Sequence, residues 1–436
     1  MTKSSWVKNA SQLATLAFDK KGPRTNKAMS ELGLIEDGSM WIENGIIQAV
    51  GTTEDIEKQY ADRLQEAEVI DASGQLVTPG LVDPHTHVVF GGIRALEFEK
   101  RLEGTSYMEI MNAGGGIHAT TRMTRESTEE ELIEQTTKRL NSFLTHGVTT
   151  IESKSGYGMN LDTELKQLRV MKELQQKHVI DIVPTFMGAH AVPKEYRGRE
   201  DDFVDYVINE MLPIVAEEKL AEFNDVFCEK GVFTPQQSER ILEAGKRYNL
   251  KPKIHADEIE PYGGAELAAK TEAVSAEHLL KVSEEGIRAL AKSGTIACLL
   301  PATALYLREE AAPGRRMVDE GVAVAISTDC NPGSSPTTSM PLVLNLSCIS
   351  MRLTPAEALT AATYNAACAI NKEDSIGSLE TGKLADFVLW DVKNYQELQY
   401  LFGVNHVRSV WKKGMKVVNL GDSAVAANAG VVMENF

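Results

Sequence analysis

Between residues 127 and 370 the chain switches repeatedly between two spacings of apolar residues. Apolar positions three and four apart mark amphipathic helices, and short unbroken runs of Val, Ile and Ala mark buried strands. A helix is predicted to open at Ser127, with Glu130 three residues on as a capping box. It carries Leu132, Ile133, Leu140, Phe143 and Leu144 on one face and stops at Gly147. A strand over 148–151 follows. Further strands are predicted over 181–186, 226–228, 253–255, 273–276, 295–300 and 322–327, with helical sequence between them. Helices lie across Leu165, Leu168, Met171 and Leu174 and near residues 201–218. Thr234-Pro235 and Thr354-Pro355 each combine a cap with Pro at the first helical position, the second opening a last long helix.

One more strand precedes these seven. Val77-Thr78-Pro79-Gly80-Leu81-Val82-Asp83-Pro84-His85-Thr86-His87 begins apolar, is punctuated by Pro and Gly, and ends in two histidines. Eight strands alternating with helices imply parallel pairing through right-handed crossovers, and eight units favour closure into a (β/α)8 TIM-like barrel. Outside this span the texture changes. Runs over 40–42, 46–51, 68–70, 385–390, 407–411 and 417–418 are short strands separated by turns. Both ends are therefore expected to build one small β-sandwich domain (residues 1–76 with 380–436) beside a catalytic barrel (77–379). A length of 436 residues suits that division.

Charge and composition narrow the partners. The formal net charge of −17 argues against nucleic acid or an anionic membrane and for a small-molecule substrate. There is no stretch of 18 apolar residues and no apolar signal core, and five scattered cysteines read as reduced thiols, so a cytoplasmic protein is expected. The sequence leaves the oligomeric state open, a homodimer among the options.

In a barrel of this kind chemistry gathers at the carboxyl ends of the strands. His85 and His87 end the first strand, His190 follows the third, His255 ends the fifth, His278 the sixth, and Asp329 the eighth. Residues i and i+2 of a strand share a face, so both imidazoles of the first pair can reach one point. His85, His87, His255 and Asp329 suit one Zn or Fe ion with a position left for water. Such a metal lowers the pKa of its water to about 7. Asp329 can ligate it and also accept the water's proton.

The segment Pro79–His87, with His255, His278 and Asp329, resembles the first-strand signature and ligand set of the amidohydrolase superfamily. The resemblance implies a metal-bearing barrel with a β-domain from both termini. Binuclear members bridge two metals from strand four; here Cys228-Glu229-Lys230 ends that strand, and a single metal is favoured. The motifs over 89–94, 152–158, 185–190, 255–258 and 327–334 are similar to those of the branch that hydrolyses 4-imidazolone-5-propanoate to N-formimino-L-glutamate. By that resemblance Arg94 grips the propanoate bidentately, and Tyr157 and His190 bind substrate. Glu258 bonds a ring nitrogen, and either Glu258 or Asp329 is expected to protonate the leaving nitrogen, while the metal and His278 stabilise the oxyanion. Asn331, Gly333 and Ser334 close over the ring, and Tyr107 approaches the tail. Lys154 and the Gly114–Gly116 run are read as structural. The competing expectations are a cytosine- or guanine-type deaminase, which would release ammonia, and a non-catalytic scaffold, which would bind no metal.

Overall fold

A computed structural model describes residues 4–105, 109 and 114–421. Tyr107, Ala113 and the Ala-rich stretch from residue 422 lie outside the described residues. Five strands come first: β1 (Ser4–Ala14), β2 (Leu34–Glu43), β3 (Ile46–Thr52), β4 (Glu68–Asp71) and β5 (Leu76–Pro79). The eight that follow are β6 (Leu81–Asp83), β7 (Val148–Lys154), β8 (Asp181–Ala189), β9 (Phe223–Cys228), β10 (Lys251–Ala256), β11 (Ser275–His278), β12 (Ile296–Leu299) and β13 (Val324–Ile326). The chain ends with β14 (Phe387–Trp390), β15 (Val407–Lys412) and β16 (Met415–Asn419).

Strands β6 to β13 pair in sequence order, all parallel, with helices between them. The circle closes where Thr86, just past β6, bridges Cys330, just past β13. The expected TIM-like barrel is therefore the observed one. Its strands are buried on both faces, which is why they read as continuous apolar runs. Asp83 reinforces the seam: its carboxyl group bonds the Ser327 hydroxyl, and the Thr328 hydroxyl lies 2.6 Å away. Ser327 also donates to the His85 carbonyl at 2.6 Å. One hydroxyl hydrogen cannot serve both oxygens. Burial pushes Asp83 up to about 7, so its neutral form can donate to Ser327 in turn.

The other strands form one sheet from both ends of the chain, ordered β16-β15-β14-β5-β1-β2-β3, with β4 also on β1. The apolar stretch expected as a single barrel strand divides at Gly80. Leu76–Pro79 pairs with β14 in the terminal sheet, and only Leu81–Asp83 enters the barrel. A Cβ at Gly80 would sit 2.3 Å from the Thr149 hydroxyl, so close approach to β7 requires glycine there. The central strand β1 has weak sequence signal. It is polar along much of its length, and its register breaks between Val7 and Ala10, where Asn9 takes φ 60°.

Helix boundaries shift modestly. The first barrel helix is Glu129–Thr145, capped by Thr128 with Glu131 closing the box, one residue later than expected. The segment near 201–218 contains a π-helical turn, Val207–Met211, directly before Pro213, whose missing N–H disfavours regular α bonding. The last long helix is two short ones, Pro355–Ala361 and Tyr364–Ala369, broken at Thr363.

Candidate active site

At the carboxyl ends of the barrel strands lies a cavity of about 560 Å³. His87, Arg94, Tyr157, His190, His255, Glu258, His278, Asp329, Asn331, Gly333 and Ser334 all line it. His85 is fully buried just beneath. The barrel thus brings together candidates drawn from six of its strands and the loops that follow them.

Four side chains converge most tightly. His85 Nε2 lies 3.4 Å from Asp329 Oδ1, His87 Nε2 lies 3.8 Å from the same oxygen, and His255 Nε2 lies 3.4 Å from His87 Nε2. Ligand atoms around a tetrahedral metal with bonds near 2.05 Å stand about 3.4 Å apart. Buried His85 Nε2 has no hydrogen-bond partner, as a ligand atom would not. Burial, reinforced by nearby cationic groups, holds His85 and His87 well below the usual histidine range. Neutral imidazole is the form that ligates. The donor set therefore fits a metal ion.

Ring orientation comes from beneath. Glu277 Oε2 lies 2.7 Å from His85 Nδ1, and Asp225 Oδ1 lies 3.1 Å from His255 Nδ1. Each contact places the proton on Nδ1 and turns the Nε2 lone pair to the cavity. Neither carboxylate was expected from the sequence. A signal exists: Asp225, Lys253 and Glu277 are charged positions inside strands whose burial is complete.

Backbone conformation supplies what strand alternation would deny. Glu277 and His278 are adjacent, so an extended strand would send them to opposite faces. His278 instead adopts φ 72°, and Asp329 takes φ 51°. Both lie in the left-handed region that non-glycine residues seldom occupy, a strain typical of functional sites. His278 Nδ1 is buried without a hydrogen bond and lies 3.6 Å from Glu258 Oε1. Asp329 Oδ2 accepts from the Thr303 hydroxyl at 2.7 Å. Burial raises Asp329 to about 6, with Thr303 and His255 pulling the other way.

Around this centre the remaining candidates are held by neighbours. His190 stacks on His87 with ring centres 4.9 Å apart, and its Nδ1 lies 3.2 Å from the Gly156 carbonyl. Gly156 has φ 107°, and a Cβ there would fall 2.9 Å from His190 Nδ1. The loop carrying Tyr157 is pinned by Glu164, which accepts from the backbone of Gly156, Gly158 and Met159. Asn331 organises its own loop by accepting from Gly333 N and Ser334 N at 2.8 Å each. Arg94 gives its Nε and Nη2 to Glu97 Oε2, at 2.9 and 2.7 Å, leaving the end of the guanidinium beside Gly333. Glu229 accepts from the backbone of Lys230, Glu258 and Ile259, so it shapes the Glu258 loop. It joins none of the metal-suited clusters found among the described residues.

Comparison with known proteins gives the family and the fold. The amidohydrolase family model matches residues 76–417. An imidazolonepropionase from Brevibacillus brevis is 62% identical over 97% of this chain and 99% of its own length. One from Geobacillus kaustophilus is 58% identical over 95% and 98%. Among solved structures, guanine deaminase from E. coli superposes with TM-score 0.71 at 16% identity, covering 96% of this chain and 99% of that one. An adenosine deaminase from Xanthomonas campestris with bound zinc gives 0.67 at 19% identity, covering 99% and 98%. These two share the fold. With a histidine-rich barrel mouth and near full-length relatives of this kind, the chain belongs to the amidohydrolase family, in its imidazolonepropionase branch.

Proposed function

We propose that this protein hydrolyses the ring C–N bond of 4-imidazolone-5-propanoate, giving N-formimino-L-glutamate, with one Zn or Fe ion held by His85, His87, His255 and Asp329. The observation that carries the reading is the convergence of those four ligand groups beside a cavity that also holds a cation, Arg94. A metal of this kind supplies an acidified water and polarises a carbonyl oxygen.

The chain's own groups do the rest. The end of the Arg94 guanidinium not taken by Glu97 meets the propanoate, a placed cation in an otherwise acidic protein. Tyr157 and His190 flank the ring. Asp329 takes a proton from the water as its oxygen bonds to the ring carbonyl carbon. His278 donates a hydrogen bond to the oxygen that gains charge. Glu258, held up at about 8 by burial and by Asp329 and Glu229, carries a proton at neutral pH and gives it to the leaving ring nitrogen. The ring carbonyl becomes the new carboxylate.

Loss of the imidazolone ultraviolet absorbance with purified, metal-quantified protein tests this directly. Turnover without ammonia release is expected. Asp329→Asn should fold normally and lose at least about 100-fold in rate. Ammonia release, or turnover by Asp329→Asn at the parent's rate, would sink the assignment.

A further inference from the structure

Beneath the metal-suited cluster two side-chain chains run in parallel. In one, Lys154 Nζ lies 2.8 Å from Asp225 Oδ2, and Asp225 Oδ1 meets His255 Nδ1 at 3.1 Å. In the other, Lys253 Nζ lies 3.1 Å from Glu277 Oε1, and Glu277 Oε2 meets His85 Nδ1 at 2.7 Å. Each carboxylate thus sets one oxygen against an imidazole and the other against an ammonium; the Ser275 hydroxyl also bonds Glu277 Oε1, and the His255 backbone N–H also bonds Asp225 Oδ1. All four charged side chains are fully buried.

Strand geometry makes this a layer. Lys253 and His255 share one face of β10, with Lys253 beside Ser275 and His255 beside Glu277 on β11. Asp225 reaches the same layer from β9, and Lys154 from β7. Lys154 Nζ also donates to Glu152 at 2.8 Å, and its backbone N–H bonds the carbonyl of Thr86, between the two histidines. Buried ion pairs contribute little net stability against well-packed apolar replacements. Packing alone therefore does not account for two such pairs on two ligand histidines.

We propose that Lys154 and Lys253 are positioning residues, each holding a carboxylate so that His255 and His85 keep the proton on Nδ1 and the lone pair on Nε2. A carboxylate that loses its ammonium keeps fewer anchors, Glu277 the Ser275 hydroxyl and Asp225 the His255 backbone N–H, so the ring it orients is held less firmly in the Nδ1–H form. The link from these tautomers to metal affinity rests on the metal reading given above.

Selective ¹⁵N-histidine NMR on metal-free protein, together with Zn²⁺ competition against a chelator, tests the pairing. In the parent, His85 and His255 should each appear as the Nδ1–H tautomer. Lys154→Met should spread His255 over both tautomers and leave His85 alone, and Lys253→Met should do the reverse. Each should weaken Zn²⁺ binding by about 10- to 100-fold. Lys→Gln variants keep an N–H donor but lose the charge and reach of the ammonium, should shift the same ring in the same direction by a smaller amount, and carry the comparison if the Met variants do not fold. Unchanged tautomers and unchanged Zn²⁺ affinity would overturn the assignment, since a purely structural lysine moves neither selectively. A parent that binds no Zn²⁺ but whose tautomers still respond residue by residue would refute the metal reading and leave the lysine assignment standing.

Discussion

A carboxyl group that keeps its proton at neutral pH can act as an acid, and Glu258 is such a group. Its shift has burial as the main cause and two negative neighbours, Asp329 and Glu229, as the others. The rate should therefore fall as pH rises past about 8, where Glu258 ionises. Glu258→Gln should lower the rate by about 100- to 10,000-fold and erase that limb of the pH profile. Stability follows the same sign. The folded group binds its proton more tightly than the unfolded one, so its contribution is full at low pH and is lost as pH climbs toward 8. A pH–rate profile for both proteins decides it; an unchanged alkaline limb in the Gln variant means another group titrates. Glu258 was visible in the sequence because it sits three residues past His255. Its perturbation was not, because Glu229 and Asp329 come from other strands.

Among elements, the seam of the barrel is where the first strand meets the last. A single backbone bridge among the described residues, Thr86 to Cys330, closes it, and the side chains of Asp83, Ser327 and Thr328 add to the connection. Asp83→Ala would leave the buried Thr328 hydroxyl without an acceptor and Ser327 with the His85 carbonyl alone, and should destabilise the protein by about 1–3 kcal/mol. Urea unfolding would report this as a lower midpoint, and an unchanged midpoint would show that the backbone bridge suffices. Most elements were legible from periodicity. The split at Gly80 was not, because β5 and β6 are equally apolar and differ only in which sheet they join.

For the whole molecule, the donor groups come from strands at opposite ends of the barrel segment, more than 240 residues apart between His85 and Asp329. A metal bound there would tie the first strand, β10 and the loop after β13 together. Stripping it should lower the melting temperature, and added Zn²⁺ should restore it in a concentration-dependent way, by about 4 kcal/mol at a thousandfold excess over Kd. Scanning calorimetry with and without chelator checks this, and identical curves would mean that no stabilising ion binds. No helix among the described residues is long and apolar enough to cross a membrane.

Local pattern was enough to state the barrel and the sheet from both termini, and to single out three imidazoles and a carboxylate that the fold brings together. Each depends on the spacing of residue types along the chain, through strand alternation, capping and turn chemistry. Orientation was decided by folding. His278 and Asp329 reach the cavity through left-handed backbone, Arg94 is set by Glu97, and Asp225 and Glu277 lie against the His255 and His85 rings. Those contacts join residues distant in sequence, and a buried charge finds its partner only when the barrel has closed around it.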